Sequence, residues 1–291
     1  MKKATLFLLL FCFVTTSYSQ VSLSNSLQDK NQFPIVTSAS KAVLCYDDAD
    51  EEVVKRTAKL LVEDISRVTD KKLQLVSNLP SRQGYIVLVG TLGKNKAIDQ
   101  LVATKRIDVS KVLGGWEQYA IDLVDNPFPG IKKALIVAGS DRRGTAYGMF
   151  SISEVIGVSP WYWWADAPVV KRKSLCLNVN AFSSKAPSVK YRGIFINDED
   201  WGLKPWASKT FEPKVGDIGP KTYAKICELL LRLKANYLCP AMHSCTKAFN
   251  HYPDNKLVAD SFAIVMGSVH CEPLLFNNAS EWDLKTMGEW N

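Results

Sequence analysis

All three histidines of this 291-residue sequence fall late in the chain, at His243, His251 and His270, and the carboxylates nearest to them share a pattern. Each polar cluster follows a short apolar, strand-like run. Residues 191–196 (YRGIFI) lead into Asn197, Asp198, Glu199 and Asp200; residues 236–238 lead into Cys239, Pro240 and His243; residues 262–266 lead into Gly267, His270, Cys271 and Glu272. Three chemistries could use such residues. Glycoside hydrolysis needs a carboxylic acid paired with a carboxylate base or nucleophile. Asp198, Glu199 and Glu272 are the candidates for that pair, and His243 and His270 could bind hydroxyls or a substrate carboxylate. A metal site could draw on His243, His251, His270, Cys245, Cys271 and Glu272, all of acceptable ligand type. Their H-x-C and H-C-E spacings match no standard zinc motif, so no metal and no cofactor is expected. Cys271 next to His270 suggests nucleophile and base, but neighbours on a strand point to opposite faces. The plain alternative is that the histidines only cap strands and satisfy loop carbonyls.

Strand ends are where chemistry collects in a (β/α)8 barrel, because the loops after the strands form one rim. The elements required for such a rim are legible. Pro220 suits a first helical turn, and Tyr223, Ile226, Leu230 and Leu233 recur at spacings of 3, 4 and 3, which predicts an amphipathic helix ending near Asn236. A further helix is expected over 254–261, and the third strand over 262–266. Upstream, residues 41–46, 73–76, 85–89, 119–124, 134–138 and 174–179 read as strands. Residues 51–69, 94–103 and 144–156 read as helices, the first with Val54, Ala58, Leu61, Ile65 and Val68 on one face. Strands alternating with helices predict an α/β layered domain, and the irregular order predicts a mixed sheet. Gly90 to Lys94 lacks the spacing and the hydroxyl of a phosphate-binding loop and reads as a turn. The expected organisation is an N-terminal accessory domain over 20–180, a linker over 181–190 with the polar, proline-containing run 182–188, and a partial barrel over 191–291. The aromatic run Trp161, Tyr162, Trp163, Trp164 before the linker could offer sugar-stacking rings. It reads better as a wedge between domains, since tryptophans bury large areas.

Composition narrows the class. The chain is 47% apolar, which excludes a disordered polymer. Lys2 and Lys3, an eleven-residue apolar stretch over 4–14 and the small-x-small triplet Ser17-Tyr18-Ser19 form a secretory signal peptide over 1–19. Eleven residues are too few for a bilayer span, which needs roughly 20, so a secreted or periplasmic protein is expected, with no membrane association after cleavage. The remaining excess of basic residues is spread without blocks, which gives no nucleic-acid surface. Six cysteines follow the signal at irregular spacing, and Cys45 and Cys227 sit in apolar patterns as buried free thiols.

Several motifs in one order resemble glycoside hydrolase family 115: Asp141 to Gly148 (DRRGTAYG), Gly157 to Asp166 (GVSPWYWWAD), Tyr191 to Asp200 (YRGIFINDED), Leu229 to Tyr237 (LLLRLKANY) and Met266 to Pro273 (MGSVHCEP). The resemblance covers nearly all of the chain after the signal. It implies a barrel glycosidase that removes α-1,2-linked glucuronic acid or its 4-O-methyl ether from xylan side chains with inversion and without a metal. Glucuronoxylan or its oligosaccharides would be the partner, and oligomers are compatible with full-length members. It further implies that Asn197, Asp198, His243, His270 and Glu272 bind substrate, with Glu199 extending the first motif. Two departures stand out. Cys239 occupies a position where the family usually has tryptophan. Only 101 residues follow Lys190, against about 200 to 250 for a full barrel, so a truncated chain lacking its acid and base is expected. A non-catalytic carbohydrate-binding protein using the Trp161 to Trp164 run, or a metal-dependent hydrolase, are the alternatives.

Overall fold

A strand buried on both faces has no polar alternation, and the run around Tyr85–Val89 has none. A computed structural model, which describes residues 20–24, 29–268, 275 and 281–289, shows why. The elements in chain order are β1 (Val21–Ser24), β2 (Gln32–Val36), β3 (Val43–Cys45), α1 (Glu52–Thr69), β4 (Gln74–Val76), β5 (Gln83–Thr91), α2 (Lys96–Ala103), β6 (Tyr119–Asp125), β7 (Ile131–Gly139), α3 (Arg142–Val155), β8 (Leu175–Val179) and β9 (Phe182–Ser183). There follow β10 (Gly193–Phe195), α4 (Leu203–Trp206) running into a π-helical turn, α5 (Pro220–Arg232), β11 (Tyr237–Cys239), α6 (Pro253–Ser261), β12 (Val265–Met266) and α7 (Leu284–Met287). Six strands form one sheet in the order β4-β3-β5-β7-β6-β9. The first four are parallel, and β6 and β9 close the sheet antiparallel. It is the expected mixed sheet. Val87 and Val89 face α1 and α3, while Ile86 and Leu88 face α2 and the segment carrying Ile107, Val109 and Val112. A small antiparallel sheet, β1-β8-β2, adds Phe33, Ile35, Leu175 and Leu177 to the first of these cores.

The turn at Gly90 to Lys94 is a plain turn. Gly93 has φ +78°, and Asn95 caps α2 by accepting from the Ala97 and Ile98 amides at 3.1 Å. The expected linker is not all irregular, because Phe182–Ser183 pairs with β6 and the Phe182 ring meets Tyr119 edge-on at 5.9 Å.

The third sheet is β10-β11-β12, all parallel, with α5 and α6 as the crossovers. This is the opening arc of a barrel, and no closed barrel exists among the described residues. The third strand is shorter than the expected 262–266. Phe262 and Ala263 finish the turn after α6, with Ala263 at φ +55°, and pairing begins at Val265. The apolar core runs without a break from α1 and α3 into α5 and β11 through Tyr147, Phe150, Tyr223, Leu230 and Leu238. No described helix is long and apolar enough to cross a membrane. The signal segment 1–19 lies outside the described residues.

Candidate functional site

The arc has two polar ends, and they differ. At the starts of the strands, the buried Glu117 collects three partners. It accepts from Arg143 Nη1 at 3.1 Å and Asn236 Nδ2 at 2.7 Å, and it pairs with Arg192 Nη2. Arg192 precedes β10, Asn236 precedes β11, and Arg143 Nε donates at 2.6 Å to the carbonyl of Ala263, just before β12. Asp141 caps α3 through the Arg143 and Gly144 amides and also accepts from the Glu117 amide at 2.7 Å. Gly144 is needed there, since a Cβ would stand 2.1 Å from the Gln118 carbonyl oxygen. The DRRG and YRG motifs therefore meet as a clamp between the first sheet and the roots of all three barrel strands. Glu117 has no sequence pattern around it that marks this role.

The other end carries the expected site residues. β10 and β11 are parallel neighbours with Phe195 opposite Cys239, so the loops after them emerge side by side. The loop after β10 turns tightly at Asp198, whose φ is +54°, and it exposes Asn197, Asp198 and Asp200 while burying Glu199. Glu199 reaches into the loop after β11. Its Oε1 accepts from the Met242 amide at 2.7 Å and the His243 amide at 2.6 Å. Its Oε2 is buried, lacks a hydrogen-bond partner and lies 3.9 Å from His243 Nδ1. The His243 ring, about a third exposed, sits 3.1 Å from Asp200 Oδ1. That hydrogen bond raises the imidazole above its usual pKa, against slight desolvation, and Glu199 and Asp198 add to it. Asp198, Asp200 and His243 each bring one donor atom within 4.8 Å of the other two. Asp200 was not among the residues singled out by sequence.

Of the remaining sequence candidates, His251 is exposed and faces Glu281 at 3.8 Å rather than this cluster. Cys245 is exposed near it, its thiol pushed up by burial and by the charges of Glu199 and Asp200. Cys239 is buried at the end of β11. His270, Cys271 and Glu272 lie outside the described residues. The aromatic run serves as a wedge: Tyr162 donates to Glu228 Oε1 at 2.8 Å, Trp164 Nε1 donates to the Lys225 carbonyl at 3.3 Å, and Trp163 packs edge-on against Trp206 at 5.6 Å.

The model of the glycosyl hydrolase family 115 matches residues 184–291, which contain this whole rim. Among solved structures, the family 115 4-O-methyl-α-glucuronidase BtGH115A, described as specific for decorated arabinogalactans, is 39% identical over 86% of this chain, with a TM-score of 0.74. The chain belongs to glycoside hydrolase family 115. It spans 31% of the length of BtGH115A. A Streptomyces plicatus β-hexosaminidase is 10% identical over 81% of this chain and 42% of its own, with a TM-score of 0.46. The family 20 β-N-acetylhexosaminidase of Streptomyces coelicolor A3(2) is 9% identical over 85% and 44%, also at 0.46. No curated protein matches the chain. Within this family 115 chain, then, the carboxylates and histidine at the ends of β10 and β11 are neighbours in space, and the motif residues Arg143 and Arg192 are anchors beneath them.

Proposed function

We propose that this chain supplies part of the substrate rim of a secreted glycosidase that removes α-1,2-linked glucuronic acid, or its 4-O-methyl ether, from xylan side chains with inversion. The observation that carries the proposal is the junction of Glu199 with the Met242 and His243 amides, which ties two strand-end loops into one surface of acids and imidazole. Asn197, Asp198 and His243, with His270 and Glu272 from the loop after β12, would bind the sugar's hydroxyls and carboxylate, a group that needs a dense set of hydrogen-bond partners. Inversion needs two carboxyl groups about 6.5 to 9.5 Å apart, leaving room for a water. Asp198 or Glu199 on one side, facing Glu272 or a carboxylate beyond it, would make that pair. The described specificity of BtGH115A favours a second reading, in which the same uronic acid is cut from a decorated arabinogalactan.

The test is release of free uronic acid from glucuronoxylan and from arabinogalactan by the 291-residue chain, beside a version extended to the next stop codon in the source DNA. Release by the extended version alone supports the family reaction with its acid and base outside these residues. Release by both makes Asp198, Glu199 and Glu272 the leading catalytic carboxylates. Release by neither, with glucuronoxylan still bound, favours a carbohydrate-binding role.

A further inference from the structure

The aromatic wedge has an outer side. There Tyr162, Trp163, Trp164 and Trp206, together with Arg67 and Asp166, line a cleft of about 720 Å³. That volume lies within the roughly 300–1,000 Å³ of small-molecule sites. The indoles fix one another edge-on, Trp163 meeting Trp164 at 4.9 Å and Trp206 at 5.6 Å. The Tyr162 hydroxyl is spent on Glu228 and Trp164 Nε1 on the Lys225 carbonyl, so what these two residues offer the cleft is ring carbon. Half-buried tryptophans alone would signify only packing. The second observation is Arg67. Its guanidinium lies 4.4 Å over the Tyr162 ring, and its Nε is buried without a hydrogen-bond partner. Asp64 stands 3.7 Å from that Nε, with both oxygens already taken by Arg232, and Glu63 stands 3.9 Å from Nη2. Both are beyond hydrogen-bond reach. A guanidinium has five donors. Held by a ring rather than by acceptors, and 39% exposed, this one keeps its outer nitrogens open to a ligand.

We propose that this cleft is a subsite for neutral pyranose units of the polysaccharide backbone, xylose in the reading above, on which the choice of sugar rests. A pyranose carries C–H groups on its faces and hydroxyls around its edge. The C–H groups suit the negative face of an indole, and each hydroxyl both donates and accepts. Arg67 supplies donors only. Asp166, exposed and without an ion pair among the described residues, supplies acceptors only. Their charges cancel, which favours a neutral sugar; a uronate drawn to Arg67 would be repelled by Asp166. Lys225, with Nζ 5.2 Å from the Trp163 ring, leaves this balance unchanged because Glu228 pairs it at 3.0 Å. The cleft also adjoins the rim. Gly202 and Leu203 line it, and they follow the loop of Asp198 and Asp200 through Trp201, which is 85% exposed. The backbone and the uronic acid are thereby assigned to the two sides of one loop.

Calorimetric titration of the 291-residue chain with xylohexaose tests the cleft without any activity. Binding is expected with a Kd of about 1 mM. Arg67→Met keeps a stem against Tyr162 but no donor. Asp166→Gly removes the carboxylate at a φ of +47°, which glycine adopts freely. Each should weaken binding about tenfold, as for the loss of a hydrogen bond to a charged group, and Arg67→Lys, which restores a donor, should recover part of the loss. No binding at about 10 mM xylohexaose, or binding unchanged in both Arg67→Met and Asp166→Gly, overturns the cleft. Excess free glucuronate should leave xylohexaose bound; displacement would place the sugar at the rim and overturns the cleft too. A galacto-oligosaccharide bound in place of xylohexaose, with the same losses in the variants, keeps the cleft and overturns xylose. If xylohexaose binds as expected while even the extended version releases no uronic acid, the cleft stands and the glycosidase reading falls. If uronic acid is released and no xylohexaose binds, the cleft falls and that reading stands.

Discussion

Replacing Asp64 by alanine strands a guanidinium in the core. Arg232, at the end of α5, is held by Asp64 of α1 in a two-point contact of 2.7 and 3.1 Å, and its Nε donates to Glu228 at 2.9 Å. The two side chains are 3% and 0% exposed. The guanidinium also lies 4.6 Å from the centre of the Phe150 ring and 4.8 Å from that of Tyr162, so no water is free to replace the lost carboxylate. Removing one partner of a buried pair costs about 3–5 kcal/mol, because the other charge is left uncompensated. Glu228 remains, which places Asp64→Ala near the lower end, at about 3 kcal/mol. For a chain of this size that is a fall in Tm of about 6–12 °C. Urea unfolding followed by tryptophan fluorescence measures it well, since five of the eight tryptophans lie from Trp161 to Trp206 around this junction. The double change Asp64→Leu with Arg232→Met, which replaces the pair by apolar groups, should be close to neutral. A loss below about 1 kcal/mol for Asp64→Ala would mean that water reaches the pair, and the view of α1 and α5 as one sealed core would be wrong.

Burial alone would raise the Glu228 carboxyl, but Arg232 and Lys225 outweigh it and hold it below the usual range. Its stabilisation is therefore complete above the unfolded carboxylate pKa of about 4.3 and is lost as pH falls through the lower folded value. The urea midpoints of wild type and Glu228→Gln should differ at pH 7 and converge toward pH 3. Gly144→Ala drives a Cβ to 2.1 Å from the Gln118 carbonyl oxygen and should cost about 1–3 kcal/mol as an overpacking change, read by the same unfolding assay. Glu199→Ala leaves the buried Met242 amide and the partly buried His243 amide without their acceptor and should cost about 2 kcal/mol. Glu199→Gln, which keeps a carbonyl oxygen there, should cost clearly less; equal losses would show that Oε1 is not the anchor. Burial pushes the Cys45 and Cys227 thiols up to about 12, whereas Cys245 is exposed. Brief iodoacetamide treatment at pH 8, mapped by mass spectrometry, should label Cys245 first among the described cysteines.

The helices and central strands were legible because burial leaves a period. Val54, Ala58, Leu61 and Ile65 line α1 and are all buried, as are Tyr223, Ile226 and Leu230 in α5. β2 was hidden by Pro34, which argues against a strand. The chain accommodates it with a register shift between Pro34 and Val36, where β2 pairs with β8. The strand-end pattern correctly brought Asn197, Asp198, Glu199 and His243 to neighbouring loops. It could not separate them by burial, because four polar residues in succession carry no periodicity. Only the turn at Asp198 sends Glu199 inward and leaves Asp200 beside the histidine.

Satisfaction of polar groups then separates the two ends of the arc. Glu117 is as buried as Glu199, and both sit among residues of the recognisable motifs. Every oxygen of Glu117 has a partner, and those partners reach the roots of all three strands. A fully paired buried carboxylate rigidifies its surroundings and has nothing left to offer a ligand. Glu199 spends one oxygen on holding two loops together and keeps the other unpaired, under a histidine and two exposed acids. A fold that could satisfy Glu117 through two arginines could satisfy Glu199 the same way. That it does not, at the end of the strands where barrels place their chemistry, is the physical reason to assign the clamp to Glu117 and to centre the proposed function on the loop of Glu199.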